Sequence, residues 1–273
     1  MNNRDAVTVA IVGAGEMGAA VGRRLRESGA RVLTSVAGRS AESVARVRDA
    51  ELEVVNDDDS LVHDADFVLS IVPPGVAVEV AERFRGPLGR ARTKPVFVEC
   101  NAISPATCRR IRDLLDATTF IDAGIIGGPP IAGTQDPAKG PRFYASGTDA
   151  HLLTRLASFG VDVAIVDGPV GAASGLKLSY AGLTKGFTAL CATMLGAAER
   201  EGLADALRAE LARSQSNFLA RIDRAIPDSV RRHTAGWRRC NRSRSSSAAL
   251  KMARLSTKAL PCSINESPRP LDA

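Results

Sequence analysis

Three glycines, Gly13, Gly15 and Gly18, stand in the spacing G-x-G-x-x-G. The apolar run VTVAIV at 7–12 precedes them, and a helical pattern reaching Ser28 follows until Gly29 stops it. That order carries chemistry. The first glycine permits a tight strand-to-helix turn, the second lets backbone approach a pyrophosphate, and the third brings helix against strand. Backbone N–H groups at the helix start, on Glu16, Met17 and Gly18, lack intrahelical acceptors and suit an anion. The expected ligand is a dinucleotide held by Gly13, Gly15, Glu16, Met17 and Gly18.

The next apolar run, Arg31 to Val36, bears on which dinucleotide. An Asp or Glu at the end of this strand usually binds the adenosine ribose. No acidic residue lies between Glu27 and Glu42, and the strand leads instead to Gly38-Arg39-Ser40. Arg39 can pair with a 2′-phosphate and Ser40 can donate a hydrogen bond to it. The expected cofactor is therefore NADP(H).

These residues need a scaffold. Further strands are predicted at Val54–Val55, Phe67–Val72, Pro95–Cys100, Phe120–Ala123, Arg142–Ser146 and Asp162–Val166. Pro73-Pro74 ends the 67–72 strand because proline cannot continue a ladder. Helices are predicted after Ser40, from Pro105 to Leu115 and near Asp149–Phe159. Alternating strands and helices imply an α/β domain, a doubly wound parallel sheet, over 1–166. Residues 172–201 and 204–226 read as helices, so an all-helical C-terminal domain is expected over 167–230.

Apolar residues make up 45% and charged residues 24%, the balance of a globular chain. Aromatics at 4% are too few for a base-stacking platform, so nucleic acid is not an expected partner. No run of 18 apolar residues appears, so no membrane span is predicted. The short apolar start leads into the glycine loop rather than a cleavage site, which makes the cytoplasm the expected location. The five cysteines are scattered without a C-x-x-C pair, and His63, His151 and His233 lack ligand spacing. No disulfide framework and no metal site is expected.

Further motifs follow the glycine loop in order: SIVPP at 70–74, ECNAISP at 99–105, DAGIIGG at 122–128 and GAASGLK at 171–177. Over about 1–230 the chain resembles the β-hydroxyacid and 6-phosphogluconate dehydrogenases, within them a bacterial branch with its own helical C-terminal domain. The resemblance implies a Rossmann-type domain followed by an all-helical domain, and hydride transfer between nicotinamide and a small hydroxy or keto acid. It implies a homodimer as well. Read alone, Lys177 is a lysine lying along a helix. The resemblance makes it the catalytic lysine, which accepts or delivers the proton accompanying hydride transfer and stabilises alkoxide charge.

The resemblance also places Val72, Pro73 and Asn101 beside the nicotinamide, and Asn101, Gly127 and Gly128 against the substrate. Two departures stand out. Ile126 occupies the place of a substrate-binding serine, and Ala181 that of an asparagine one turn beyond Lys177. Lys185 shares the helical face of Lys177 and is expected to take over part of the polar role toward substrate. Related scaffolds reduce imines without the full hydroxyacid machinery, so imine reduction is an alternative. An NADP(H)-binding sensor or structural protein with little catalysis is another. Glu99 is an acid by type, and the resemblance gives it no catalytic part.

The net charge of +6 is local. Residues 231–258 hold nine Lys and Arg and no acidic residue. This abrupt change marks 231–273 as an atypical basic tail, for which an altered reading frame or disorder is expected.

Overall fold

The computed structural model describes residues 7–134 and 136–226; the basic tail at 231–273 lies outside them. The chain separates into two compact units, Met1–Thr184 and Lys185–Ala273.

In the first unit eight strands form one sheet. They are β1 (Thr8–Val12), β2 (Arg31–Ser35), β3 (Glu53–Val55), β4 (Phe67–Ser70), β5 (Val96–Glu99), β6 (Phe120–Ile126), β7 (Arg142–Ser146) and β8 (Asp162–Ile165). Their order is β3-β2-β1-β4-β5-β6-β7-β8. The first six run parallel. β7 turns antiparallel to β6, and β8 runs parallel to β7. The chain leaves β1 toward β2 and β3, then returns to place β4 on the other side of β1. That reversal opens a crevice beyond the carboxyl ends of β1 and β4, where open α/β sheets bind ligands.

Every residue of β1, β4 and β5 is buried, as two covered faces require. Side chains alternate between two cores. Val9, Ile11, Leu69 and Val98 pack on one face with Ala19, Val21 and Leu25 of α1 (Glu16–Glu27). Val12, Val68, Phe97 and Phe120 pack on the other with Phe84 of α4 (Ala77–Arg90) and Ile111 of α5 (Pro105–Leu114). Each such Val, Leu, Ile or Phe side chain contributes about 1.5–3 kcal/mol on burial. The shorter α2 (Ala41–Asp49) and α3 (Asp58–Val62) are capped by the side chains of Ser40 and Asp57.

The doubly wound reading holds, with three refinements. The segment predicted as a helix near 149–159 is a 3₁₀ segment, Ala150–Phe159, closed by Gly160 at φ +77°. The helix α4 carries Pro87 in its interior, and buried Val80, Ala81, Phe84 and Leu88 hold it in place. The predicted 204–226 helix breaks at Gln215 (φ −143°), leaving α7 (Ala204–Ser214) and helical residues 216–226.

A long helix, α6 (Ala172–Arg200), begins in the first unit and continues into the second. Within the second unit Phe187 meets Phe218 edge-on at 5.2 Å, and the Arg221 guanidinium lies 4.9 Å above the Phe187 ring. Arg208 pairs with Asp223 at 2.9 Å.

Candidate active site in the first unit

The glycine loop joins β1 to α1, and its glycines are required for different reasons. A Cβ on Gly13 would lie 2.5 Å from the Ile71 carbonyl oxygen, and Gly13 holds φ +89°. A Cβ on Gly18 would lie 2.4 Å from the Gly13 carbonyl oxygen. The protein itself excludes side chains at both. A Cβ on Gly15 would meet no atom within 4 Å. Gly15 is the N-cap of α1, at φ −72°, and no side chain caps the helix. The open space at Gly15 and the uncapped N–H groups of Glu16, Met17 and Gly18 fit a pyrophosphate. The residues present therefore fit a bound dinucleotide.

A cleft continues from this loop, lined by Gly13, Gly15, Ser35, Arg39, Ser43 and Pro73 among others. A second lies beside Ser35, Arg39, Asp57 and Arg83. Arg39 is exposed and borders both. The Ser40 oxygen accepts from Ser43 N at 3.3 Å and so caps α2, a bond that does not use its hydroxyl proton. Ser43, one helical turn on, lines the cleft instead. Ser35 holds the end of β2, where a carboxylate would meet a ribose.

Val72 and Asn101 close the wall beyond β4. The Val72 N–H donates to Asn101 Oδ1 at 2.6 Å, and Asn101 Nδ2 donates to Ser70 Oγ at 3.0 Å. Asn101 is buried, 3% exposed, so its amide ties the ends of β4 and β5 together. Ser104 caps α5.

Lys177 reaches the same edge. Its Nζ donates to the Cys100 carbonyl oxygen at 3.2 Å. Gly124 makes this approach feasible, since a Cβ there would lie 2.7 Å from the Ala173 carbonyl oxygen and 3.2 Å from Lys177 Cβ. A glycine inside an apolar strand is the sequence signal for such close backbone approach. Direct contacts thus run from Gly13 through Val72 and Asn101 to Cys100 and Lys177. Gly127 and Gly128 lie at the end of β6, one strand beyond β5. Gly127 (φ +127°) has Pro141 Cα 2.9 Å from where a Cβ would sit, whereas Gly128 faces open space. Lys185 belongs to the second unit and Lys177 to the first.

Two contributors, Asp122 and Arg24, escaped the sequence reading, and a third, Glu99, was read there only as an acid by type. Asp122 is fully buried, and its carboxylate accepts from Ser146 Oγ, Gly171 N, Ser174 N and Ser174 Oγ at 2.6–3.0 Å. It fixes the start of α6 and thereby the position of Lys177. Arg24, 2% exposed, donates to the carbonyls of Ile131, Asp136 and Gly160, pinning the loop that follows Gly127 and Gly128. Glu99 is fully buried beside Asn101. Burial pushes its carboxyl up to about 7; the Asp122 charge adds to this, while hydrogen bonds from Asn101 and the Lys177 charge oppose it. An acidic residue inside an otherwise apolar strand was the available signal for Asp122 and Glu99.

Burial also raises the thiols of Cys100 and Cys108, so neither is poised as a thiolate nucleophile. Among the described residues no cluster of His, Cys, Asp and Glu could hold a metal ion, and no helix is long and apolar enough to cross a membrane.

Comparison with known proteins agrees with this geometry. Residues 8–159 match the NAD binding domain of 6-phosphogluconate dehydrogenase. An uncharacterised 28.5 kDa protein of Methanothermus fervidus is 28% identical over 199 residues, 73% of this chain and 74% of its own. A conserved protein of unknown function, whose structure reveals similarity to 3-hydroxyacid dehydrogenases, is 30% identical, with 82% of each chain covered and a TM-score of 0.66. The 3-hydroxyisobutyrate dehydrogenase of Mycobacterium tuberculosis shares the fold at 22% identity, with 77% of this chain and 71% of its own covered and a TM-score of 0.62. Imine reductases share the fold at 18% and 19% identity, with TM-scores of 0.57 and 0.56. The chain belongs to the family of the 6-phosphogluconate dehydrogenase NAD-binding domain and has the fold of the hydroxyacid dehydrogenases.

Proposed function

We propose that this protein is an NADP(H)-dependent oxidoreductase acting on a small hydroxy or keto acid. The observation that carries the reading is the reach of Lys177 to the Cys100 carbonyl, at the sheet edge that Asn101 and Val72 join to the glycine loop. When bound, the nicotinamide accepts or supplies the hydride. Lys177 takes the hydroxyl proton during oxidation and returns it during reduction. Asn101 keeps the wall of the crevice in place, and backbone N–H groups of Gly127 and Gly128 hold the carboxylate. The choice of NADP(H) rests on exposed Arg39 and on Ser35 in place of an acid.

A second reading is imine reduction. Ile126 and Ala181 favour it, because the first offers no hydroxyl and the second no amide to an acid substrate. Both readings need turnover, which separates them from a sensor that only binds the cofactor.

The homodimer is supported by a stripe on α6. In the first unit Leu176, Tyr180 and Leu183 are 38%, 52% and 76% exposed, at intervals that place them on one helical face. A cytoplasmic location is supported by Cys100, Cys108 and Cys191, buried and unbridged as in a reducing compartment.

The test is a panel of small keto acids and cyclic imines, assayed by loss of NADPH absorbance. Turnover that disappears in Lys177→Ala supports the reading. Its absence across the panel, with NADPH bound, supports the sensor.

A further inference from the structure

Level with the carboxyl ends of β4 and β5, four adjacent strands carry a row of polar side chains. Ser70 on β4 stands opposite Glu99 on β5, Glu99 opposite Asp122 on β6, and Asp122 opposite Ser146 on β7. All four are fully buried. Ser70 is satisfied by Asn101, and Asp122 by its four donors, one of them Ser146. Glu99 differs. Its Oε1 accepts from Asn101 N at 3.0 Å, but its Oε2 is buried without a hydrogen-bond partner among the described residues.

A buried carboxylate oxygen with no donor is unfavourable unless a proton or a cation compensates it. Among the described residues, the titratable groups facing Glu99 are Asp122 on β6, Cys100 next in sequence, Cys108 on α5 and Lys177 on α6. Only Lys177 among them bears positive charge. It reaches the carbonyl of Cys100, the residue that follows Glu99.

We propose that Glu99 is a positioning residue for Lys177, holding a proton beneath the site and setting the charge of the lysine amine through its own. With Glu99 ionised, the ammonium form of Lys177 is favoured. With Glu99 protonated, its attraction for the ammonium is lost and the amine gives up its proton more readily. The two titrate as a coupled pair. The carboxyl midpoint of about 7 puts this exchange in the neutral range. The coupling rests on the oxidoreductase reading and deepens it, since it concerns the lysine assigned there to the proton.

The test needs neither substrate nor cofactor. Lysines of the full chain are dimethylated reductively with ¹³C-formaldehyde, and the Lys177 resonance is assigned by its loss in Lys177→Arg. Its chemical shift is followed against pH in the wild type and in Glu99→Gln. The wild-type signal is expected to show an inflection near neutral pH besides its own titration. In Glu99→Gln that inflection is lost, and the Lys177 midpoint falls by about one unit. A wild-type signal with a single lysine titration overturns the proposal, whether or not the variant folds. So does an unchanged midpoint in a folded variant. Either result leaves the oxidoreductase reading standing. Coupling without any turnover would instead count against that reading alone.

Discussion

Lys177 on α6 donates to the backbone carbonyl of Cys100 at the end of β5, across 3.2 Å. That hydrogen bond joins the helix that carries the proposed proton carrier to the residue just before Asn101. Removing the amine should leave the nucleotide crevice intact, since no glycine-loop contact depends on it. Lys177→Ala is expected to bind NADPH as the wild type does and to turn over about 10²–10⁴-fold more slowly. Fluorescence titration and steady-state assay on the same preparation check both halves.

The glycines of the loop should separate by role. Gly15→Ala adds a methyl into open space, so folding stability should change by less than about 1 kcal/mol, while dinucleotide affinity falls about tenfold or more. Gly18→Ala drives a methyl into the Gly13 carbonyl and should lower stability itself. Urea unfolding with and without NADPH distinguishes the two patterns.

Asp122 is expected to be a stability residue more than a chemical one. Asp122→Ala leaves buried donors on Ser146, Gly171 and Ser174 without their acceptor, a loss of about 3 kcal/mol or more. Asp122→Asn keeps one acceptor oxygen and should recover part of it. Denaturant midpoints for the three proteins check the ranking.

Glu99 makes stability depend on pH in a defined direction. The folded protein holds this proton up to about pH 7, whereas the unfolded chain releases it near 4.5. Between those values the native state binds more protons, so its stability falls as pH rises. The contribution is complete below about pH 4.5 and lost above about pH 7, a difference of about 3 kcal/mol. Glu99→Gln removes the dependence. Its stability relative to wild type should be higher at pH 8 than at pH 5, by chemical denaturation at both. An equal difference at both would contradict the assignment.

Local signals carried much of the fold. VTVAIV at 7–12 and the 67–72 run reveal buried parallel strands because both faces are apolar, and the glycine spacing reveals the turn between strand and helix. What stayed hidden depends on partners distant in sequence. The reversal at β7 leaves no mark in Arg142–Ser146, since parallel and antiparallel strands draw on the same residues. Ser40 has the residue type for a phosphate contact, and only the structure shows that its oxygen also caps α2 through the bond from Ser43 N. Asp122 and Glu99 look alike in sequence, each an acid in an apolar strand. Four donors satisfy one, whereas the other keeps an oxygen without a hydrogen-bond partner among the described residues, and that contrast exists only once α6 is placed against the sheet.

The proposed chemistry depends on the crevice beyond β1 and β4 taking NADP(H), with Arg39 selecting its 2′-phosphate. A paired fluorescence titration with NADPH and NADH, on the wild type and on Arg39→Ala, tests this without a substrate. The wild type is expected to bind NADPH at least about tenfold more tightly than NADH, a difference of about 1.4 kcal/mol. Arg39→Ala should lose that preference while its NADH affinity stays unchanged. Equal affinities in the wild type would contradict the assignment to Arg39, and binding of neither nucleotide would contradict the oxidoreductase reading as a whole.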